Sequence, residues 1–408
     1  MEVLYERCAG LDVHKHMVVA CLRVVEGGQV RRQGRQFGTT TRDLLELAEW
    51  LKAAGCTHVA MEASGVYWKP VWHVLEGDFK LVLVNPAHMR NVPGRKSDHN
   101  DASWIADLLA HGLLRASFVP PAPIMELRDL TRSRQQFKRE VVQHKQRLQK
   151  VLEDANVKLA AVISDVVGDS GRRILRAIIA GEQDPQKLAA LGSERLAASR
   201  AQLSQALEGR ITAHHRFLLA QHLQMIEHLE QTIKQFEAQI EVALAPFRDA
   251  VERLVTIPGV STIAAHVIIA EIGADMSCFP TAAHLRSWAG LSPKLDQSAG
   301  KVLSRRLRKG APWLKTMLVQ CAWAAARSKN NYLSAQFVRI KSRRGPKKAV
   351  MAVAASILTA AYHLLRDQTD YRDLGNSYFD RLDRNRAAQR LTRRLRELGY
   401  EVEIRKAA

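Results

Sequence analysis

The chain changes character at one point. "VPPAP" at residues 119 to 123 sets three prolines in five positions. Proline removes a backbone donor and biases the preceding residue away from helix, so this stretch reads as a linker-like break. Before it, strand and helix signals alternate. After it, the long stretches are periodic at helical spacing. A chain divided in this way reads as an α/β module followed by helical ones, and 408 residues leave room for two or three domains.

Within the first part, "CAGLDVHKHMVVACLRVV" reads as a strand rich in Val and Leu, with "GQVRRQGRQF" as its hairpin partner through Gly27 and Gly28. "TTTRDLLELAEWLKAAG" carries a Thr cap, apolar residues at 44, 45, 47, 48 and 51, and a terminal Gly55, the start and stop signals of a helix. "THVAMEAS" and "FKLVLVNP" read as strands. "VYWKPVWHVLEG" reads as a helix with Pro70 in its first turn, and "SDHNDASWIADLLAHG" as a helix ending at Gly112. Hairpin strands followed by βαβ units predict a mixed sheet.

Beyond the break, Ile226, Leu229, Ile233, Phe236 and Ile240 alternate by three and four. That seam suits a coiled coil between copies of the chain or a helical hairpin within one. "IPGV" at 257 to 260 lies between two helical stretches, as in helix-hairpin-helix elements, where a glycine turn lets backbone amides approach a phosphate. "AVMAVAASILTAAYHLL" (349 to 365) is shorter than a bilayer span of ~20 residues and reads as a buried helix. The N-terminus shows no basic segment followed by an apolar one, so no signal peptide is expected. The five cysteines lie far apart with no CxxC pair, which disfavours zinc ribbons and disulfide frameworks. Mostly apolar surroundings predict buried free thiols.

The balance of charge narrows the class of partner. Lys and Arg number 61 against 41 Asp and Glu, a net charge of +20. Residues 301 to 350 hold fourteen basic residues and no acidic one, whereas a merely solvated surface mixes signs. Such a field attracts nucleic acid. The tail "RLDRNRAAQRLTRRLREL" reads as a basic helix, either solvated or in contact with phosphate.

Against this background four carboxylates stand out by placement. Asp12 interrupts an apolar strand, Glu62 ends another, and Asp98 and Asp101 open a helix three residues apart on one face. Strand-end residues of an α/β sheet meet in one cleft, where clustered carboxylates call for divalent cations. The alternative is local: Asp98 as an N-cap with Asp101 at N3. Asp107 lies on the other side of the same helix and reads as solvated or paired with a basic neighbour.

The segments "GLDVHK", "MEASGVYW", "NPAHMRNVPGRKSDHNDASWIADLL", "IPGVSTIAAHVIIAEIG" and "WAGLSPKLDQSAGK" resemble the insertion-sequence recombinases with a DEDD catalytic domain, the IS-one-ten and IS-eleven-eleven transposases. The five motifs occur in that family's order and span nearly the whole chain. The resemblance implies a RuvC-like, RNase H-type domain over 1–118 with Asp12, Glu62, Asp98 and Asp101 as metal ligands and catalytic residues. Two Mg²⁺ ions are expected there, with Mn²⁺ as a substitute. A helical coiled-coil region for oligomerisation is expected over 119–250. A helical C-terminal domain with the helix-hairpin-helix-like element is expected over 251–370, and a basic helical tail over 371–408.

The resemblance also implies a serine nucleophile that joins DNA covalently. The matching position in "GLSPKLDQSAGKVLSRR" is Ser298, ahead of Ser292 and Ser304, with Ala299 where the family usually has glycine and Gly300 next to it. Arg95, Lys96, Lys301, Arg305, Arg306, Arg308, Lys309, Arg343, Arg344, Lys347 and Lys348 are the expected nucleic-acid contacts. The implied protein is a recombinase that cuts and rejoins DNA as a dimer or tetramer, guided by a non-coding (bridge) RNA from the element. It would work in the bacterial cytoplasm at the nucleoid, away from membranes. Other readings are a RuvC-like nuclease or resolvase that hydrolyses DNA without the serine, a non-catalytic nucleic-acid-binding protein, and an actin-like phosphotransferase. The last lacks a second phosphate loop in the sequence.

Overall fold

The computed structural model describes residues 2–63, 65–86, 101–293, 296–298, 301–304, 306–382 and 384–403, the side chains of 296–298, 302, 303 and 386 aside. The chain divides into two compact units, Met1–Val119 and Pro120–Ala408.

The first unit is built on β1 (Arg7–Val13), β2 (Met17–Glu26), β3 (Gln29–Gly38), α1 (Thr41–Ala53), β4 (His58–Glu62), α2 (Trp68–Leu75), β5 (Lys80–Val84) and α3 (Asp101–Ala110). The five strands form one sheet in the order β3-β2-β1-β4-β5. β1, β2 and β3 are antiparallel neighbours, while β4 lies parallel to β1 and β5 parallel to β4. The mixed sheet expected from the sequence is therefore present, and its order and directions are consistent with an RNase H-like domain. The stretch read as one strand over residues 8 to 25 is two. His14, Lys15 and His16 are exposed, and the His14 amide donates to the Met17 carbonyl at 2.9 Å, closing a turn without glycine or proline. Gly27 and Gly28, at φ +58° and +77°, make the second turn as expected.

The two faces of the sheet are filled differently. Leu11, Val13, Val59, Met61 and Leu83 pack with Leu44, Leu47, Leu51, Val71 and Leu75 of α1 and α2. The opposite face carries a smaller cluster of Cys8, Ala60, Val84, Ile105, Leu109 and Ala110 beneath α3. There Gly10 is decisive. A Cβ on Gly10 would stand 2.2 Å from the Ala102 carbonyl oxygen and 2.5 Å from the Ala106 nitrogen. Only a residue without a side chain lets the helix backbone lie directly on the strand.

The second unit begins with α4 (Ala122–Asp154), which pairs with α6 (Ala213–Leu244); α5 (Asp169–Ile179) and the short helices Leu159–Val162, Pro185–Ala190 and Arg200–Leu207 lie between them in sequence. Arg134 reaches Glu237, His144 reaches His222, and His215 reaches Asp154, so α4 and α6 run antiparallel. Leu219, Leu223, Ile226, Leu229 and Ile233 are buried with Leu148 and Leu152 in one core. The seam read from the sequence is thus buried within the chain.

The unit continues through α7 (Arg248–Val255), α8 (Thr262–Ile272), α9 (Ala282–Trp288), β6 (Asp296–Ser298), β7 (Lys301–Ser304), α10 (Pro312–Arg327), α11 (Tyr332–Arg344) and α12 (Pro346–Asp367), and ends in α13 (Arg384–Glu397) after the short helix Tyr378–Leu382. At the α7–α8 turn Gly259 has φ +86°, and a Cβ there would stand 2.4 Å from the Cys321 carbonyl oxygen. Close packing on α10 accounts for this glycine. By length and composition α12 is the one described helix apolar enough to cross a membrane. Ala349, Val353, Ala354, Ile357, Leu358 and Ala361 are fully buried in the unit, and the Tyr362 hydroxyl donates to the Phe279 carbonyl at 2.9 Å.

Gly10→Ala is expected to destabilise the first unit by ~2–3 kcal/mol through overpacking. Gly34→Ala, where the nearest atom is 4.0 Å from the new Cβ, should shift stability by less than about 1 kcal/mol. Urea unfolding of the two variants beside the parent checks the contrast.

Candidate functional site

Three of the four expected carboxylates fall among the described residues: Asp12, Glu62 and Asp101. β1 and β4 pair in parallel, with Leu11 opposite Met61. The next residue on each strand is Asp12 and Glu62. Successive strand residues face opposite sides. Leu11, Val13 and Met61 belong to the α1/α2 core, whereas Cys8 and Ala60 belong to the α3 side. Asp12 and Glu62 therefore leave neighbouring strands on the α3 face, at the carboxyl ends of both.

The helix above them has a fixed direction. The Ala110 carbonyl accepts from the Leu4 amide at 2.8 Å, the Ala106 carbonyl lies 3.6 Å from Cys8 Sγ, and Ala102 sits over Gly10. α3 thus runs antiparallel to β1, and its N-terminus, Asp101, is carried toward the Asp12 end of the strand. Asp101 is exposed at that end. Asp98, Arg95 and Lys96 lie outside the described residues.

One residue that the sequence reading passed over belongs here. His14 Nε2 donates to Asp12 Oδ2 at 3.0 Å, with Asp12 largely shielded and His14 half exposed. Its spacing of two from Asp12 was the available signal, because it keeps both side chains on one side of an extended segment. Among the described residues no group of three or more His, Cys, Asp or Glu side chains is arranged to hold a metal ion. Asp12, Glu62 and Asp101 nevertheless offer carboxylate oxygens alone, the donor type that suits Mg²⁺ or Mn²⁺.

Asp107 is separate from this group, as read from its side of the helix. It accepts from Arg23 Nε at 3.0 Å and from Arg32 Nη2 at 2.9 Å. Arg23 is 2% exposed, and its Nη1 is buried without a hydrogen-bond partner. The pair ties α3 to β2 and β3.

The cysteines divide. Cys8, Cys21, Cys56 and Cys321 are buried free thiols, as expected, but Cys278 is exposed. Burial pushes Cys8 and Cys321 up to about 11 and Cys56 to about 12, which keeps them protonated and unsuited to nucleophilic work at neutral pH.

In the second unit, Ser298 is the last residue of β6 and pairs with Lys301 of β7 in antiparallel register, leaving Ala299 and Gly300 between them. Those two residues and Arg305 lie outside the described set. The segment read as a basic loop is a small β-hairpin within an otherwise helical unit. Its base is closed by the Pro293–Leu307 bridge and by Gly290, whose Cβ would stand 2.8 Å from the Arg308 carbonyl oxygen. The ammonium of Lys315 donates to the Arg308 and Lys309 carbonyls at 2.7 and 2.8 Å, and burial holds its pKa below the usual lysine value. Lys301, Arg306, Arg308, Lys309, Arg343, Arg344, Lys347 and Lys348 are all exposed. None of them forms an ion pair with a described carboxylate.

The mixed sheet and its carboxylate edge are consistent with an RNase H-like domain of the DEDD type. The chain belongs to the IS110 family of transposases: a family model for DEDD transposases matches residues 9–157, and a second, described as "Transposase IS116/IS110/IS902 family", matches residues 251–339. A Sinorhizobium fredii protein named as a transposase, y4pF/y4sB, is 28% identical over 160 residues, which is 38% of this chain and 41% of that protein. The uncharacterized 43.6 kDa protein of insertion element IS110 in Streptomyces coelicolor is 32% identical over 139 residues, 33% of either chain. The alignments thus span less than half of each relative.

Asp107→Ala is expected to cost about 3 kcal/mol by leaving the buried Arg23 uncompensated. Arg32→Ala, which removes the exposed partner, should cost under about 1 kcal/mol. Thermal unfolding of both variants tests the asymmetry.

Proposed function

We propose that the protein is the transposase of an insertion sequence. It cuts and rejoins DNA by metal-dependent phosphoryl transfer through a covalent phosphoserine intermediate. The observation that carries this reading is the emergence of Asp12 and Glu62 on one face, at the carboxyl ends of adjacent strands, with the Asp101 end of α3 directed toward them. Asp98 is the proposed fourth member. Two Mg²⁺ ions held by these carboxylates would supply Lewis-acid stabilisation of the reacting oxygens.

The residues of the chain divide the remaining work. Ser298 Oγ attacks the scissile phosphorus and forms a P–O bond, while a deoxyribose oxygen leaves and takes a proton. The hydroxyl of a second strand then displaces Ser298, restoring its hydroxyl and joining the DNA. His14 holds the Asp12 carboxylate in place. Arg95, Lys96, Lys301, Arg305, Arg306, Arg308 and Lys309 neutralise the phosphates beside the reaction. Arg343, Arg344, Lys347 and Lys348 grip the backbone further away. The exposure of Lys301, Arg306, Arg308, Lys309, Arg343, Arg344, Lys347 and Lys348, none of them paired with a described carboxylate, supports this part of the reading.

Sequence choice would rest on a structured non-coding RNA from the element, pairing with target and donor DNA, while the protein holds backbones. We assign 119–250 to oligomerisation as a dimer or tetramer, 251–370 to the serine-bearing part and 371–408 to a basic tail. The setting is the bacterial cytoplasm at the nucleoid.

The test is recombination of a plasmid carrying the element ends with the full chain and its RNA. Ser298→Ala is expected to abolish joining and denaturation-resistant protein–DNA adducts. Asp12→Asn and Glu62→Gln should abolish cleavage as well, as should chelation of divalent cations. Full recombination by Ser298→Ala would refute the serine, and unchanged recombination by Asp12→Asn would refute the carboxylate site. Cleavage without adducts in the parent would favour the hydrolytic nuclease, and DNA binding without cleavage in the parent would leave a binding protein.

A further inference from the structure

A second site in the helical unit has a chemistry of its own. Trp313, in the first turn of α10, has two guanidinium groups from α4 close to its ring. The Arg139 guanidinium carbon is 4.8 Å from the indole centroid and that of Arg132 is 5.9 Å away. The two arginines are held very differently. Arg132 donates from Nε and Nη2 to both carboxylate oxygens of Glu271, at 2.8 and 2.9 Å, and Glu271 is 1% exposed. Arg128 donates to the Ala270 and Glu271 carbonyls beside it, at 3.1 and 2.6 Å. Arg139 is exposed, and no described carboxylate pairs with it.

Around the ring is a cleft of about 30 Å³ bordered by Thr131, Gln135, Thr316 and Gln320 as well as the arginines. That volume takes a water and no larger molecule. The chemistry of the lining narrows what could approach when Arg139 swings aside. Glu271 is already neutralised by Arg132, so the cleft has no carboxylate for a metal ion. With Arg132 committed, only one mobile cation remains, which is little for a free polyanion. The Thr131 and Thr316 hydroxyls donate to the Arg128 and Pro312 carbonyls, so the indole face with the Gln135 and Gln320 carboxamides at its rim suits a flat, neutral ring with hydrogen-bonding edges. The surroundings are cationic: Lys315 fixes the exposed Arg308 and Lys309 against the first turn of α10.

We propose that Trp313 is a stacking platform for an unpaired nucleobase, with Arg139 as its cover. A base would replace the guanidinium on the indole face, and the freed Arg139 would move onto the adjoining phosphate. Stacking on an aromatic side chain is worth more than an exposed cation–π contact, so the exchange is favourable. Gln135 and Gln320 would meet the base edge. The inference rests on the reading that the protein handles nucleic acid. It adds a site for a strand out of its duplex, distinct from the carboxylate edge and from Ser298.

Fluorescence polarisation with the full chain tests it, using labelled 12-nucleotide single-stranded DNA, single-stranded RNA of the same sequence, and the blunt DNA duplex. Trp313→Ala is expected to weaken single-strand binding roughly tenfold and to leave duplex binding unchanged. Trp313→Phe, which keeps a ring in the helix packing, should stay within about threefold of the parent. Loss on the DNA strand alone, the RNA strand alone, or both supports the platform and identifies its source. Equal loss on single strand and duplex, or no loss on either strand, overturns it while the nucleic-acid reading stands. A parent chain that binds none of the three probes removes both.

Discussion

The contact on which the first unit depends is the approach of α3 to β1 at Gly10. A backbone carbonyl and amide of the helix occupy the space of a side chain. Small residues around it, Cys8 and Ala60 on the sheet and Ala110 on the helix, keep the layer thin. The face under α1 and α2 is instead filled by large aliphatic groups. Because the thin face fixes the direction of α3 along β1, it sets where the Asp101 end of the helix arrives. A thicker core would have held the helix away from the strand-end carboxylates.

A buried charge reinforces the same layer. Arg23 lies inside it and costs several kcal/mol unless paired. Asp107 supplies the pairing from the helix, and Arg32 shares the carboxylate from the outside. The acidic stretch with which α3 begins and continues is therefore two systems. Asp107 holds the helix to the sheet, while Asp101 stands at the end directed toward Asp12. Neither could take the other's place, because six residues put them on different sides of the helix.

The helical unit separates stability from function in another way. Its long antiparallel pair buries its leucine and isoleucine seam within the chain and matches Arg134, Arg172 and Arg176 to glutamates. Lys301, Arg306, Arg308, Lys309, Arg343, Arg344, Lys347 and Lys348 are left exposed and pair with no described carboxylate. Charge used for folding is paired, and charge available to a polyanion is not. Beside Trp313 the buried Glu271 is taken by Arg132, and the neighbouring Arg139 pairs with no described carboxylate.

Much of the fold was legible in the sequence because its signals are local. The Thr cap of α1, Gly27 and Gly28 at a turn, Pro70 in a first turn and the break at "VPPAP" each report on their own few residues. The turn at His14 was not legible, since three polar residues between apolar runs carry no glycine or proline signal, and the short hairpin of Ser298 was hidden among helices. The sequence by itself determined the types of element, the excess of positive charge and the candidate carboxylates, because these follow from composition and spacing. Tertiary structure alone decided that Asp12 and Glu62 share a face, that Asp107 serves Arg23, and that Trp313 meets Arg139. Each of these depends on which strands pair, how closely helices approach and which partners are already taken, and those are properties of residues far apart in the chain.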